Sequence, residues 1–343
     1  MNLSEASEHC GRGLHLPTDS VPDLVQALLD SSVGDESKRT FLLALTAKGE
    51  TAEELASFAS AILPRAKDPG IGGEWNGQPI FDCCGTGGGG LNIINISTAL
   101  MFVLAGAGVP VVKHGNRGMT KTSGSADALE ALGINIDIAP SNLPECLEKS
   151  GMAFIFAPSY HSSFKAVAAV RKSIAAEGKR TIFNLLGPLL NPVRPKAQIT
   201  GVFNPLHLEL FSRALALLDR PQYRVIYGES ADQRPLGEAS AWGKSAWIGP
   251  DGIPREDLRS SAEFSRGDFE SLLVRSSKDS AAKIVALLEN QGAPLASAML
   301  RLNAAHCLCT LDRASTLDEG IALSDESISS GAAFARLKSW QSL

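Results

Sequence analysis

Five glycines fall within six residues at one point of the chain, between an apolar run and a run of asparagine and hydroxyl side chains. The stretch from Phe81 to Thr98 is FDCCGTGGGGLNIINIST. Glycine allows positive φ angles, so several backbone N–H groups can converge on one anion. If a strand leads into the glycines and a helix starts near Asn95, that helix adds free N–H groups and the positive end of its dipole. The stretch therefore predicts a phosphate cradle, with a flexible turn as the alternative.

The spacing of these glycines does not fit two common nucleotide motifs. No lysine follows the glycines as GxxxxGK[ST] requires. No Asp or Glu occurs between Cys83 and Ala126, where the dinucleotide fingerprint places an acidic residue to bind the ribose. A nucleoside triphosphate or a dinucleotide is therefore not the expected ligand.

A second polar loop follows the next apolar run along the chain. It reads KHGNRGMTKTSGS and places three fixed positive charges, Lys113, Arg117 and Lys121, among amide and hydroxyl donors. Such a set suits phosphoryl oxygens, although a solvated charged loop would have the same composition. Consecutive strand–helix loops of a parallel sheet open at the same edge, so we expect the two loops to adjoin, which favours ligand binding over a solvated loop.

A third basic tract covers residues 165–196, with Glu177 as its one acidic residue. Arg171 differs from the other cations there because it falls on a small, apolar face of the helix predicted for AVAAVRKSIAA. In that position it can bind a carboxylate through two parallel hydrogen bonds. Just upstream, FAPSYHSSF places Tyr160 and His161 at the end of another predicted strand, where either could belong to the site or to the core.

The elements around these loops predict an α/β protein. From residue 80 onward, short β-type runs alternate with helical stretches of about ten residues, which indicates a largely parallel sheet with helices on its faces. The predicted strands are IFDCC, VPVVKHG, INIDIA, MAFIFAP, AQITGVF and YRVIYG.

The N-terminal part has a different character. Residues 20–66 read as short helices, one of which begins with the capping-box pair Thr51 and Glu54. A connector rich in proline and glycine follows. We therefore expect a small helical N-terminal domain over residues 1–75 and a large α/β domain over residues 76–343. A segment near residues 165–195 could join the helical domain.

Composition places the chain among ordinary globular proteins. Of its 343 residues, 44% are hydrophobic and 20% charged, and the net charge of −5 gives no general attraction to nucleic acid or anionic membranes. The beginning, MNLSEASEHCGRG, does not read as a signal peptide, and the longest apolar run, residues 99–112, is too short to cross a bilayer. The six cysteines form no CxxC pair. We expect free thiols, no zinc and a cytoplasmic location.

Several motifs together resemble the anthranilate phosphoribosyltransferase family. They are GTGG followed by NIST, then KHGNR, FAP-x-YH and RTIFNLLGPLLNP, and the likeness extends in family order over roughly residues 20–340. The resemblance implies a small helical domain that forms a homodimer and an active site between this domain and the large one. It implies that the amine of anthranilate is joined to C1 of phosphoribosyl pyrophosphate (PRPP), with release of pyrophosphate and help from Mg²⁺.

The resemblance also implies the PRPP-binding residues. Carried over by motif, these are Gly85, Gly88, Asn95, Ser97, Thr98, Lys113, Asn116 and Ser125. Their neighbours in the same loops, which we include in the predicted substrate site, are Thr86, Gly87, Gly89, Ile96, His114, Gly115 and Arg117.

For the acceptor, the resemblance implies contacts from Gly85, Asn116 and Arg171, with Tyr160 and His161 lining the approach. The carboxylate grip inferred for Arg171 fits the acid group of anthranilate. The chemistry needs positioning and stabilisation of the leaving charge rather than covalent help. Lys113 and Arg171 are therefore the candidates for a catalytic contribution.

Two positions depart from the family pattern where it has acidic residues. Gly89 stands where the family reads GTGGD, and the best register places Gly237 and Glu238 on a DE pair. An alternative register would use Asp232 with the glutamine that follows it. The metal ligands then reduce to Ser97 and Glu238, which suffice for one Mg²⁺ completed by pyrophosphate oxygens.

These departures leave three functions open. The first is a working anthranilate phosphoribosyltransferase with a reduced metal site. The second is a phosphoribosyl-type transferase with another aromatic acceptor. The third is a non-catalytic relative that binds a ligand.

Overall fold

The N-terminal part of the chain is helical because its apolar residues recur at helical spacing and some helix ends carry capping groups. Thr51 and Glu54 exchange hydrogen bonds between side chain and backbone in both directions, as the capping-box pattern predicts. The computed structural model describes residues 1–87, 91–118, 122–258 and 266–343. Its first helices are α1 (Leu3–Gly11), α2 (Val21–Leu29), α3 (Asp35–Lys48) and α4 (Ala52–Ile62).

Strands and helices then alternate, as the sequence predicts. The strands are β1 (Glu74–Trp75), β2 (Gln78–Pro79), β3 (Phe81–Gly85), β4 (Val111–Gly115), β5 (Met152–Phe156), β6 (Ala197–Val202), β7 (Gln222–Gly228), β8 (Lys244–Ile248) and β9 (Pro254–Leu258). Among the described residues, β3 to β9 form a seven-stranded sheet in the order β5-β4-β3-β6-β7-β8-β9. In this order the strands from β5 to β7 are mutually parallel, and β8 and β9 continue the sheet antiparallel. The predicted α/β class with a mostly parallel sheet is confirmed.

The helices between and after the strands cover the sheet. They are α5 (Ile96–Gly106), α6 (Ser125–Ala131), α7 (Leu143–Ser150), α8 (Ala157–Tyr160), α9 (Lys165–Ala176), α10 (Phe183–Leu186), α11 (His207–Leu217), α12 (Arg266–Glu270), α13 (Ser277–Leu288), α14 (Pro294–Thr310), α15 (Leu317–Ser329) and α16 (Ala332–Gln341). In the part of the chain that the structure describes, no helix is long and apolar enough to cross a membrane.

One predicted strand, INIDIA, is wrong. Ile134 and Ile136 are buried in the core, which explains the alternation of apolar and polar residues in this segment. A strand also requires a hydrogen-bonded neighbour, and no described strand pairs with this segment, which instead connects α6 to α7 as irregular chain. The antiparallel strands β8 and β9 were not predicted.

Two large hydrophobic clusters lie on opposite sides of the sheet. The first packs β3 and β4 against α5, α13 and α14. The second, which we call the helical core, joins α1–α4 to α9, α10, α11 and the other face of β6 and β7. Val167, Val170 and Ile174 are the residues by which α9 enters the helical core. Helix α9 therefore packs with the N-terminal helices, although it lies between two strands of the large sheet in sequence.

Candidate active site

The glycine loop lies between a strand and a helix, as predicted. β3 ends at Gly85 and α5 begins at Ile96, with Asn95 at its N-cap position. A Cβ atom on Gly85 would lie 3.1 Å from the carbonyl oxygen of Gly201 on the neighbouring strand, so glycine allows this close approach. Thr86 donates its backbone N–H to the same oxygen at 3.0 Å, and Gly87 has a φ of +67°. Of the predicted loop residues, Gly88 and Gly89 lie outside the described residues.

Lys113 places a buried positive charge next to this loop. Its side chain on β4 is 2% exposed, and its Nζ donates a hydrogen bond to the carbonyl oxygen of Cys83 on β3. Among the described residues, no carboxylate oxygen lies within 4.0 Å of that Nζ. The Cys83 thiol in turn donates to the carbonyl oxygen of Ser97 at 3.1 Å, in the first turn of α5. The lysine charge therefore lies near the start of α5. The buried Asp82 carboxylate interacts with it electrostatically but forms no ion pair with it, so the ammonium group has no carboxylate in direct contact.

The second polar loop is held by its own acidic residues. Arg117 forms ion pairs with Glu130 and Asp127, so its charge is already compensated. The Asp127 carboxylate also accepts the backbone N–H groups of Gly118 and Gly124, both at 2.8 Å. A Cβ atom on Gly124 would lie 2.3 Å from the Gly118 nitrogen, so the loop closes this tightly only with glycine. Arg117 is thus less available for a phosphate than Lys113.

Asn95 joins the two loops. Its Oδ1 accepts hydrogen bonds from Ser123 Oγ at 2.9 Å and from Ser280 Oγ at 2.7 Å. Nearby, the backbone N–H of Thr122 donates to Asn92 Oδ1 at 2.9 Å. The expectation that the two loops adjoin is confirmed, because β3 and β4 are neighbours and these contacts connect the segments at their carboxyl ends.

The remaining predicted residues of the two loops differ in exposure. Ile96 and Thr98 are buried in the core, and Thr98 Oγ1 has no hydrogen-bond partner among the described residues. Ser97 and Ser125 are half-buried at the first turns of α5 and α6. The two residues that follow His114 are more open, with Gly115 half-buried and Asn116 exposed.

A row of aromatic rings lies on the opposite face of the sheet from the Lys113 side chain, because consecutive residues of a strand point to opposite faces. The next residue along β4, His114, has its ring centroid 5.3 Å from that of His161, at an interplanar angle of 73°. His161 stacks on Phe164 at 5.3 Å, and Phe164 meets the edge of Phe183 at 5.3 Å. The guanidinium carbon of Arg171 lies 5.0 Å from the centroid of Phe183. We call His114, His161, Phe164 and Phe183 the ring row, and it ends at Arg171.

The two histidines of the ring row are neutral at neutral pH. Burial lowers the pKa of His114 to about 3, with a smaller contribution from the neighbouring His161. Burial also lowers the pKa of His161. His114 Nδ1 lies 3.1 Å from the carbonyl oxygen of Gly187, and His161 Nε2 lies 2.9 Å from that of Leu190. Carbonyl oxygens only accept hydrogen bonds, so these nitrogens carry the protons and His114 Nε2 remains an acceptor.

Arg171 is the second cation without a carboxylate. It is half-buried, and burial lowers the pKa of its guanidinium, which stays protonated. No carboxylate oxygen of the described residues lies within 4.0 Å of its nitrogens. A ligand carboxylate at this end of the ring row could therefore accept two parallel hydrogen bonds from the Arg171 guanidinium group.

Tyr160 occupies a different environment from the ring row. Its side chain is 3% exposed and packs with Ile80, Val112 and Leu147. Burial raises the pKa of its hydroxyl group to about 12. Tyr160 therefore lies in a core cluster rather than on the ring row.

Phe164 and Phe183 belong to the site although no role was predicted for either. The i, i+3 spacing of His161 and Phe164 at the start of a helix was the available signal for one of them. Phe183 joins the row from a separate segment, and no local pattern marks it.

The segment containing Glu238 packs closely over the ends of β6 and β7. A Cβ atom on Gly228 would lie 2.0 Å from the carbonyl oxygen of Glu238, and one on Gly201 would lie 1.9 Å from that of Gly237. Gly237 has a φ of +72°, and a Cβ atom there would come within 2.4 Å of the Phe203 ring. This position therefore excludes an aspartate side chain in the present backbone arrangement.

The alternative acidic residue, Asp232, is engaged in a turn. Its carboxylate accepts from Ser230 Oγ at 2.5 Å and pairs with Arg234 at 2.9 Å. Glu238 instead acts on the centre of the site. Burial raises the pKa of the Cys83 thiol to about 12, Lys113 opposes that rise, and Asp82 and, to a smaller extent, Glu238 add to it.

The described residues offer few protein ligands for a metal ion. They contain no group of three or more His, Cys, Asp or Glu side chains that could hold one. The backbone carbonyl oxygen of Ser97 accepts a hydrogen bond from the Cys83 thiol, and the Glu238 charge acts electrostatically on the same thiol. One hydroxyl and one carboxylate fit a Mg²⁺ ion whose other ligands are phosphate oxygens and water.

Comparison with known proteins points to one family. A family model described as "Glycosyl transferase family, a/b domain" matches residues 77–334. The anthranilate phosphoribosyltransferase of Desulforudis audaxviator is 37% identical over 338 residues, which cover 98% of this chain and 94% of the relative. The crystal structure of anthranilate phosphoribosyltransferase from Thermus thermophilus matches with a TM-score of 0.86 at 30% identity, over 98% of each chain. The Saccharomyces cerevisiae enzyme in complex with PRPP and Mg has the same fold, with a TM-score of 0.83 at 24% identity over 99% of this chain and 98% of that one.

Proposed function

Because this chain belongs to the anthranilate phosphoribosyltransferase family, we propose that it transfers the phosphoribosyl group of PRPP to the amine of anthranilate. The products are phosphoribosylanthranilate and pyrophosphate. The relatives over the whole chain carry this activity in their names, and the solved relative from yeast holds PRPP and Mg.

One observation in this chain carries the proposal. Two cations, Lys113 and Arg171, have no carboxylate oxygen within 4.0 Å among the described residues, and the ring row runs from His114, which follows Lys113 in β4, to Arg171. Lys113 lies beside the glycine loop, where a pyrophosphate group would bind. Arg171 lies at the end where an aromatic acid would present its carboxylate. A cation beside the glycine loop suits a phosphate group, and a second cation beside aromatic rings suits an aromatic acceptor with one acidic group.

The residues of the site would act by position and charge. Breaking the C1–oxygen bond of PRPP develops positive charge on the sugar and negative charge on the departing pyrophosphate. Lys113, the loop N–H groups and the start of α5 would stabilise the departing charge. Arg171 and the ring row would hold the acceptor so that its amine faces C1. The neutral His114 would add no positive charge to compete with Arg171 for the acceptor's carboxylate.

We propose that Ser97 and Glu238 hold one Mg²⁺ together with the pyrophosphate oxygens. When bound, the ion neutralises charge on the leaving group. The packing around Gly237 supports one ion rather than two, since that position offers no second carboxylate.

The proposal extends to assembly, domains and location. We assign residues 1–75, together with the segment near residues 165–195, to the helical domain. The rest of residues 76–343 forms the α/β domain. The family resemblance implies that the helical domain forms a homodimer. All six cysteines are free and buried, which supports a cytoplasmic location. Sedimentation of the purified chain tests the dimer.

The decisive experiment mixes the purified protein with PRPP, Mg²⁺ and anthranilate and follows the loss of anthranilate fluorescence. We expect turnover that requires all three components. Calorimetry with PRPP alone separates the alternatives if no turnover occurs. Binding without turnover points to another aromatic acceptor or to a non-catalytic relative, whereas no binding contradicts every phosphoribosyl-transfer function.

A further inference from the structure

Helix α9, which carries Arg171, is attached to α3 by a buried lysine. Lys38 is 1% exposed and is among the largest fully buried side chains of the chain. Its Nζ donates to the carbonyl oxygen of Asp30 at 2.7 Å and to that of Ala166 at 2.8 Å. Asp30 is the C-cap of α2, and Ala166 lies in the first turn of α9. One ammonium group thus connects three helices.

The other end of α9 is attached to the next residue of α3. Arg39 donates to Ser173 Oγ at 3.2 Å and pairs with the Glu177 carboxylate at 2.5 Å. Glu177 is the C-cap of α9. Two consecutive residues of α3 therefore hold α9 at its beginning and at its end.

Arg171 lies between these two attachments. It follows Ala166 by five residues and precedes Ser173 by two, which is about 7.5 Å and about 3 Å along a helix axis. Its only contact with a charged or aromatic group among the described residues, outside α9's own backbone, is with the Phe183 ring. The position of its guanidinium is therefore set by where α9 lies and by that ring.

Burying the charge of Lys38 costs free energy of folding, which indicates a role for this residue other than stabilising the fold. No carboxylate oxygen of the described residues lies within 4.0 Å of its Nζ, so the groups in direct contact with the buried charge are carbonyl oxygens, and the Asp30 carboxylate acts on it only from a greater distance. The C-terminal end of α2 favours a cation, but the N-terminal end of α9 does not. An apolar side chain of similar length would fill the same space without that cost. What it would lack is the pair of directional bonds that fix α9 relative to α2 and α3.

We propose that Lys38 and Arg39 are positioning residues that set Arg171 for the carboxylate of the acceptor. This inference rests on the proposed function. Among the described residues, neither side chain contacts the ring row or the glycine loop, so they act on the acceptor through α9 and Arg171.

The test compares Lys38→Met and Arg39→Ala with Arg213→Ala as the matched control. Arg213 forms an ion pair of similar length, 2.6 Å, with Glu53 on a different helix pair of the helical core and does not contact α9. We expect Lys38→Met to raise KM for anthranilate about tenfold and Arg39→Ala about threefold, with KM for PRPP changed less than twofold. Arg213→Ala should leave both constants unchanged.

A double-mutant cycle separates positioning from general structural damage. In an Arg171→Ala background, Lys38→Met and Arg39→Ala should produce no further rise in KM for anthranilate, because the group they position is gone. An equal rise in both backgrounds would overturn the inference, as would folded variants with unchanged KM. Arg39 is partly exposed, so Arg39→Ala carries the test if Lys38→Met does not fold.

The same experiment distinguishes the two levels of proposal. A wild-type protein without turnover contradicts the proposed function. A wild-type protein with turnover, sensitive to Arg171→Ala but indifferent to Lys38→Met and Arg39→Ala, contradicts this inference alone.

Discussion

The side chain of Lys113 reaches from β4 to the carbonyl oxygen of Cys83 on β3, and its ammonium group is buried there with no carboxylate partner among the described residues. A carbonyl dipole offsets only part of the cost of burying a charge. The buried Asp82 carboxylate also interacts with this ammonium group electrostatically, and an anion bound beside the glycine loop would add to that compensation. The N–H groups of Ile96 and Thr98 at the start of α5 donate to the carbonyl oxygens of Ile94 and Asn95, so α5 would act on the anion mainly through the positive end of its dipole.

Replacing this charge should remove most of the affinity for PRPP. We expect Lys113→Met to raise the Kd for PRPP about 100-fold, because a charge-assisted hydrogen bond contributes about 1.5–3 kcal/mol. Calorimetry in the presence of Mg²⁺ measures the change. The control is Lys149→Met, an exposed lysine paired with Glu145 on α7. Equal Kd values for Lys113→Met and the control would contradict the role of Lys113.

Arg171 should discriminate the carboxylate of the acceptor. The wild-type protein should use anthranilate far better than aniline, which has the ring and amine but no acid group. In Arg171→Ala the ratio of kcat/KM for anthranilate to that for aniline should fall about 100-fold, because the bidentate contact with the carboxylate is lost. KM for PRPP should stay within twofold of the wild-type value. The ratio of kcat/KM for the two amines is the measurement. A preserved ratio in Arg171→Ala would show that the carboxylate is recognised elsewhere.

Substitution of Gly237 should lower the free energy of unfolding more than substitution of Gly178, a glycine with the same φ angle. Gly178 also has a φ of +72°, but a Cβ atom there would meet nothing within 4 Å. Gly178→Ala should therefore cost about 1 kcal/mol through backbone strain. Gly237→Ala should cost about 3 kcal/mol, because it adds a collision with the Phe203 ring. Denaturant unfolding of both variants compares the two costs, and similar losses would mean that Phe203 moves aside.

The metal dependence should follow Glu238 rather than Asp232. Glu238→Gln should raise the Mg²⁺ concentration for half-maximal activity about tenfold, through loss of a carboxylate ligand. Asp232→Asn should leave it unchanged, since the Asp232 carboxylate is bound to Ser230 and Arg234. The opposite pattern would favour the alternative register of the acidic site.

The buried histidine of β4 should make stability depend on pH. His114 has a pKa near 6.5 in the unfolded chain and about 3 in the folded one. Between these values the unfolded chain binds an extra proton. The free energy of unfolding should therefore be fully retained above pH 6.5 and fall as the pH drops toward 3, by about 1.4 kcal/mol per pH unit from this residue.

His114→Asn keeps an N–H group that can reach the Gly187 carbonyl but does not titrate. Urea unfolding between pH 4 and 7 should give a shallower pH dependence for this variant than for the wild type. Parallel curves would show that His114 is protonated in the folded protein.

Local features of the site were predictable, and tertiary ones were not. The strand, loop and helix around the glycines follow from residues within one short stretch, and Arg171 is a candidate from sequence because an arginine interrupts an apolar helix face. The ring row brings together His114, Phe164 and Phe183 from three segments, so no local spacing reveals it. INIDIA was mistaken for a strand because burial of Ile134 and Ile136 gives the same alternation as a sheet. The periodicity of apolar residues indicates which side chains are buried, but not whether the backbone forms hydrogen bonds with a neighbouring strand.

The packing of α9 against the N-terminal helices also affects how the chain is made. Val167, Val170 and Ile174 complete a cluster that includes Leu24 and Phe41 of α2 and α3, yet the ribosome adds them more than 100 residues later. At about 5–20 residues per second, the first helices wait on the order of 5–20 s for these partners. Throughout that interval the nascent chain exposes apolar surface to chaperones, and a fragment ending near residue 75 would expose it permanently.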